Sequence, residues 1–414
     1  MATVVLAGTL DTKGIEYAFV RDRLRERGVD VILVDAGVLG DPLVAPDITR
    51  DEVARAGGAI LSDLVATADR GAAIASMARG LGAVVSQLYR DGKLDAILGL
   101  GGGGGSALIA AAMRELPIGV PKLLVSTVAA GDMRPYVGTV DLTVMHAVVD
   151  IAGINQMLER ILTNAAAAAA AMAQANGTFR PQASAKPLLG ATMFGVTTPC
   201  LTVARERLEA LGYEVLVFHA TGAGGQAMER LIRDGYLTGV LDVTTTELAD
   251  DLVGGVLSAG PDRLTAAGAA GIPQVVSLGA LDMVNFGPRA TVPAQFQDRL
   301  LYEHNPAVTL MRTTPAECAA LGQRMAEKLN RARGPVTLFV PLRGISSIAV
   351  AGQVFHDPAA DAALIGAARE HIGGNVTVRE METDINDPAF ATAMADALHA
   401  HYVPWSRERE RTHP

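Results

Sequence analysis

The sequence predicts an α/β protein built of two doubly wound, Rossmann-like domains with mainly parallel sheets. Three observations carry this. Short continuous apolar runs alternate with segments of helical spacing from one end of the chain to the other, which is the pattern of strands covered on both faces. The alternation breaks once, at FRPQASAKP (Phe179–Pro187), and then restarts. The length, 414 residues, suits about two domains of ordinary size. The boundary is expected near residues 177–187, with domains at 1–180 and 187–414.

In the first domain, Thr3–Ala7 reads as a buried strand. Ile15–Arg27 has helical spacing with charges on its other face, and Val29–Val34 is a second strand. Asp95–Leu100 (DAILGL) is a third strand, followed by five glycines and the helical run Ser106–Glu115. Lys122–Ser126 is a fourth strand. Asp150–Gln174 reads as one long helix containing seven consecutive alanines, Ala165–Ala171. Alanine is the best helix former, and Asn176-Gly177 offers a stop.

The second domain repeats the rhythm. Strands are expected at Leu188–Phe194, Glu214–His219, Gly239–Val243, Gln274–Ser277, Val336–Val340 and Asn375–Glu380. Helices are expected at Cys200–Leu211, Gly224–Asp234, Thr314–Ala332, Asp357–Glu370 and Asp387–Ala400. The charged tail WSRERERTHP is expected to fray.

Composition removes several classes of function. Two cysteines, Cys200 and Cys318, exclude a disulfide scaffold and a cysteine-based zinc site. A net charge of −9 argues against a nucleic-acid protein, which shows a basic face. It leaves room for a phosphorylated small molecule held by local backbone N–H groups. No basic leader precedes the first apolar run and no 18-residue apolar span follows, so no membrane association and a cytoplasmic location are expected.

The strongest local signal is the glycine run Gly101, Gly102, Gly103, Gly104, Gly105, then Ser106, between a strand and a helix. Glycines bring the backbone close to a ligand, and the helix N-terminus adds free N–H groups and a dipole suited to phosphate. The run is neither a Walker A loop nor a strict dinucleotide fingerprint. A close-packed strand–helix turn is the bland alternative. The first strand ends in Gly8-Thr9-Leu10-Asp11-Thr12-Lys13-Gly14, which a parallel sheet brings to the same edge. There Thr9 and Thr12 can bond phosphate oxygens, Lys13 can neutralise them, and Asp11 can hold Mg²⁺. The competing reading is a helix cap, with Asp11 or Thr12 at the N-cap and Glu16 reaching back. Ser126 and Thr127 end the fourth strand at that edge, followed by Asp132 and Arg134.

The second domain has its own polar strand ends. His219 with the Thr221–Gly225 turn is another anion-binding design. Asp242 and Thr244–Glu247 follow a neighbouring strand, then Asp282 and Asn285, His304, Arg343 and Ser346. His219, Glu247, Asp282 and His304 form the candidate acid–base set of a second cleft for a small metabolite. Buried, hydrogen-bonded histidines and helix-capping carboxylates are the plainer reading. Cys200 and Cys318 read as inert.

GTLDTKGIE (Gly8–Glu16) resembles the opening signature of the Tm-one-like ATP-binding family, found as the N-terminal domain of a plant tomato mosaic virus resistance protein and in bacterial relatives. Further blocks resemble it along the whole chain, among them Pro121–Asn155, Phe218–Glu229, Gly239–Asp250, Gly271–Phe286 and Pro341–Ser346. The resemblance implies two Rossmann-like domains, ATP in the first, and a homodimer. The expected function is therefore an ATP-binding protein, a metabolic enzyme using Mg-ATP on a small metabolite. The alternatives are a nucleotide-sensing dimer that docks a partner protein, or a carbon–carbon lyase or hydrolase working from the second domain. The alanine-rich helix is the expected dimer contact.

Overall fold

The computed structural model describes residues 1–67, 69–180 and 186–412. The chain divides into two compact units, Met1–Gln182 and Ala183–Pro414. Of the boundary expected at residues 177–187, residues 181–185 lie outside the described ones.

The first unit runs β1 (Thr3–Gly8), α1 (Leu10–Glu26), β2 (Asp30–Asp35), α2 (Arg50–Ala56), α3 (Leu61–Thr67), α4 (Arg70–Arg90), β3 (Ala96–Gly101), α5 (Gly103–Met113), β4 (Lys122–Ser126), α6 (Arg134–Val137), β5 (Leu142–His146) and α7 (Gln156–Thr178). Its five strands are all parallel, in the order β2-β1-β3-β4-β5. The period-two pattern of β1 explains its burial on both sides. Val4 and Leu6 join the core made with α1 and α7, while Val5 and Ala7 join the core made with α4 and α5.

The long helix starts later than the sequence suggests. Asn155 is its N-cap and accepts from the N–H of Met157 and Leu158, so Asp150–Ile154 belong to a loop. The amide competes with the helical backbone and fixes the start. The helix then continues past Asn176-Gly177 to Thr178. Its small residues serve the unit's own core: Ala165, Ala166, Ala169, Ala170 and Ala173 pack with Leu98, Leu123 and Val125 of the sheet.

The second unit runs β6 (Leu188–Met193), α8 (Thr198–Ala210), β7 (Glu214–His219), α9 (Ala223–Arg233), β8 (Gly239–Thr244), α10 (Glu247–Val253), α11 (Ala266–Ala270), β9 (Gln274–Gly279), β10 (Met283–Phe286), β11 (Leu301–Asn305), β12 (Val308–Arg312), α12 (Pro315–Leu329), β13 (Val336–Pro341), α13 (Pro358–His371), β14 (Val376–Met381) and α14 (Pro388–Thr412). The parallel sheet has the order β7-β6-β8-β9-β13-β14, which extends the first unit's order by one strand.

Two features differ from expectation. A three-stranded antiparallel sheet, β10-β12-β11, is inserted after β9. It puts His304 on the exposed strand β11 of the antiparallel sheet rather than in a loop at the end of a parallel strand. The tail expected to fray is helical through Thr412. Trp405 anchors it, packing on the cores under α8 and α9 and donating from Nε1 to the Gly271 carbonyl at 2.9 Å. Among the described residues no helix is long and apolar enough to cross a membrane.

Candidate functional site

The order β2-β1-β3 makes the gap between the carboxyl ends of β1 and β3 the topological switch point of the first unit. A buried tyrosine holds that gap open. β1 and β3 pair only from Val4–Leu6 against Ala96–Leu98. Beyond them the Tyr17 hydroxyl accepts from the Leu100 N–H and lies in donating position to the Ala7 and Leu100 carbonyls, each at 2.8 Å. Burial pushes this phenol's pKa up. Gly8 is required here, because a Cβ would lie 1.7 Å from the Tyr17 oxygen.

The glycine run splits into two kinds. At Gly101 a Cβ would meet the Ser106 nitrogen at 2.7 Å, so packing demands glycine. At Gly102, Gly103, Gly104 and Gly105 a Cβ would meet nothing nearer than 3.4 Å. Protein packing leaves these four unconstrained, and what their bareness exposes is backbone. Gly102 is the N-cap of α5, with no side-chain cap. The first N–H groups of that helix have no acceptor within it.

Ser106 and Ser126 do a different job from the phosphate contact expected of them. Both are buried, their hydroxyls lie 2.7 Å apart, and the Ser106 hydroxyl also donates to the Gly101 carbonyl. They tie the ends of β3 and β4 together beneath the turn. Thr127 is half-buried and donates its N–H to the same carbonyl.

The loop after β1 faces the glycine turn. Asp11 Oδ2 accepts from the N–H groups of Val38 and Leu39 at 3.1 and 2.8 Å, and Oδ1 is buried without a partner. The capping box read from the sequence does not form: Thr9 is the N-cap, its hydroxyl bonds that of Thr12 rather than a backbone N–H of the helix, and Glu16 accepts instead from Gly153 N–H. Lys13 leaves helical geometry (φ −131°, ψ 20°), and its Nζ donates to the Ile151 carbonyl at 2.5 Å. Asp35, which the sequence reading passed over, is fully buried at the end of β2. Its Oδ1 accepts from Leu10 and Gly37 N–H, and burial raises its pKa.

Between these loops lies a cavity of about 540 Å³. Thr9, Asp11, Lys13 and Gly102–Gly105 line it as the sequence suggested. Much of its remaining wall comes from a stretch with no motif in the sequence: Val38, Leu39, Leu64, Val65, Asp69, Arg70 and Ile74. The signal for α4 was present in the amphipathic run 70–90 behind Asp69, an N-cap residue whose side chain accepts from Ala72 N–H. Asp132 and Arg134 do not line the cavity. They form an exposed pair at 2.7 Å, and that hydrogen bond holds the Asp132 carboxyl down at about 2.

The second unit repeats the strand order and fills the equivalent ground with its own side chains. At the α9 turn, Glu247 Oε1 accepts from the N–H of Gly222 and Gly225, so a carboxylate of the chain itself occupies the anion-binding turn read from the sequence. Its Oε2 pairs with Arg263 Nε at 2.6 Å. Arg263 also makes a bidentate pair with Asp242 and reaches Glu229, all of them buried. Thr197 and Thr244 close the gap between β6 and β8 with hydroxyls 2.7 Å apart.

The four candidate acid–base residues fall in four different surroundings. Glu247 belongs to the buried Arg263 network. Asp282 is buried and accepts from the Ser346 hydroxyl at 2.8 Å, with burial raising its pKa to about 6. His219 is exposed beside the Phe194 ring, and His304 is exposed beside Tyr302. Among the described residues no hydrogen bond joins either histidine to either carboxylate, and no group of three His, Cys, Asp or Glu side chains is placed to hold a metal ion. Asn285 bonds Thr246 and Asp250, and Arg343 makes a surface contact with Glu382. Both cysteines are free and buried, with burial raising the Cys200 thiol to about 12.

Comparison with known proteins adds a family. Residues 2–178 match the model of the Uncharacterised protein family (UPF0261) N-terminal domain, and residues 186–402 match its C-terminal domain. A UPF0261 protein of Clostridium tetani is 50% identical over 396 residues, covering 95% of this chain and 98% of its own length. The ToMV resistance protein Tm-1(GCR237) of Solanum lycopersicum is 45% identical over 334 residues, which is 80% of this chain and 44% of the tomato protein. Likeness to solved structures is slight: a UDP-N-acetylglucosamine 2-epimerase from Rickettsia bellii aligns with a TM-score of 0.24 at 10% identity, over 66% of this chain and 78% of the epimerase.

Proposed function

The chain belongs to the UPF0261 family, and on that premise we propose that its N-terminal unit binds ATP, with the phosphates on the bare N-terminus of α5 and Lys13 as a principal cation. The observation that carries this is the uncapped glycine start of α5 facing a cavity at the switch point. Four glycines that packing does not require leave backbone N–H groups open to an anion. A volume of about 540 Å³ lies within the range of small-molecule sites. Leu39 and Val65 at its wall are 85% and 51% exposed, apolar surface of the kind a planar base covers.

The residues present fit Mg²⁺ in a supporting part. This ion is held by one or two carboxylates with the substrate's phosphates and water. Asp11 lines the cavity with one carboxylate oxygen buried and unpartnered. When bound, the ion would neutralise phosphate charge, and Asp11 would hold it.

The homodimer implied by the family resemblance is part of the same reading. The buried alanines of α7 serve the first unit's core, so any contact through this helix uses its outer face, where Ala168 is half-buried and Ala171 exposed.

Calorimetry with Mg-ATP on the wild type and Lys13→Ala tests the reading. Binding weakened by about tenfold or more in the variant, at unchanged thermal stability, supports it. Equal affinity removes Lys13 from the site, and no binding by the wild type removes the nucleotide.

A further inference from the structure

We propose that Arg70 makes the N-terminal cavity select a polyphosphate over a monophosphate; the inference rests on reading that cavity as a nucleotide site. Arg70 is the first residue of α4, where a cation lies against the positive end of its own helix. The neighbouring Asp69 makes no ion pair with it; the Asp69 carboxylate accepts from the Ala72 N–H at 3.0 Å. The Arg70 Nη2 atom lies 3.4 Å from where a Cβ on Gly104 would stand. The guanidinium therefore lies against the first turn of α5, beside a second positive helix end. Among the described residues it makes no hydrogen bond or ion pair.

Two helix N-termini and a guanidinium thus share one wall of the cavity. Lys13, on the β1 loop, brings a second cation to the lining, and its Nζ bonds a carbonyl rather than a carboxylate. The cavity's two carboxylates are both engaged by backbone N–H groups, Asp11 with the loop after β2 and Asp69 with α4. The cations come from separate elements and line one cavity with the glycine turn. One phosphate on that turn reaches one of these two cations, whereas a chain of phosphates spans both. A guanidinium also presents paired donors that match two phosphate oxygens, which an ammonium does not.

The test uses the full chain and calorimetric titration of Mg-ATP, AMP, inorganic triphosphate and inorganic phosphate into the wild type, Arg70→Gln and Arg70→Lys. The wild type should bind ATP and triphosphate more tightly than AMP and phosphate. Arg70→Gln should lose about tenfold or more in ATP affinity while AMP affinity stays within about twofold, and Arg70→Lys should recover only part of the loss. The unliganded thermal midpoint of both variants should match the wild type, since no partner among the described residues is lost. If Arg70→Gln binds ATP as the wild type does while Lys13→Ala does not, the nucleotide site stands and Arg70 has no part in it. If ATP and AMP weaken together in Arg70→Gln, the selectivity is overturned. If the wild type binds none of the four, the nucleotide reading falls and this inference with it.

Discussion

Glu247 Oε1 accepts the backbone N–H of Gly222 at 2.7 Å, and the same oxygen takes Gly225 N–H at 3.1 Å. A glycine turn entering a helix is thereby satisfied from within. At Gly225 a Cβ would fall 2.2 Å from the Glu247 carboxylate, so this glycine makes room for an internal anion. The α5 turn in the first unit has the same kind of sequence and, among the described residues, no such occupant. One turn is filled by a carboxylate of the chain itself, and the other is bare.

Removing the charge that anchors Glu247 should be severe. Arg263 is fully buried and pairs with Asp242 and Glu247, with Glu229 nearby. Arg263→Met leaves buried carboxylates without their cation, which costs about 3–5 kcal/mol. Urea denaturation should show that loss, and a loss under 1 kcal/mol would mean that the network contributes little.

Tyr17→Phe keeps the ring and removes the hydroxyl between β1 and β3. The Leu100 N–H is then buried without an acceptor, at a cost of about 1–3 kcal/mol. The same measurement on this variant checks it, and hydrogen exchange at Leu100 should quicken relative to Val5.

The buried carboxylates set a pH dependence. Burial raises Asp282 to about 6 and Asp250 to about 7 from the ordinary carboxyl value of 3.8. A carboxyl raised on folding binds its proton more tightly in the native state, so stability falls as pH rises from near 4 to near 7. For Asp282 the shift of about two units corresponds to a change on the order of 3 kcal/mol. Asp282→Asn should flatten that part of the profile, measured by denaturation at pH 5 and pH 8. An unchanged slope would show that Asp282 does not titrate in this window.

Sedimentation at micromolar concentration should give a homodimer, about twice the chain mass of 42.9 kDa. A single species near 42.9 kDa overturns that expectation. A dimer that persists in Ala168→Glu places the contact away from the outer face of α7.

How much the sequence reveals varies with the distance between the residues involved. Lys122–Ser126 and Glu214–His219 are legible as strands because each is one local run, and the structure has both with these bounds. Thr9, Asp11, Lys13 and the glycine run are legible as a meeting of loops, since strand ends of a parallel sheet share an edge. Arg70 is not, because its approach to Gly104 depends on how α3 and α4 pack between β2 and β3. The engagement of Gly222 by Glu247 is also hidden, as it joins residues 25 apart through tertiary structure. His304 misleads because a short polar stretch before an apolar run fits a strand-end loop as well as the exposed strand β11.

The most direct test of the central claim is calorimetric titration of Mg-ATP into the wild type and Gly103→Ala side by side. At Gly103 a Cβ meets only Val128 Cγ1, at 4.0 Å, so alanine in this first helical turn should keep or slightly raise thermal stability. It would still put a methyl group on the backbone that a phosphate must approach. Binding by the wild type that weakens at least tenfold in a fully folded Gly103→Ala is the expected result. Equal affinity in the two proteins, or no binding by the wild type, would contradict a phosphate seated on the α5 turn.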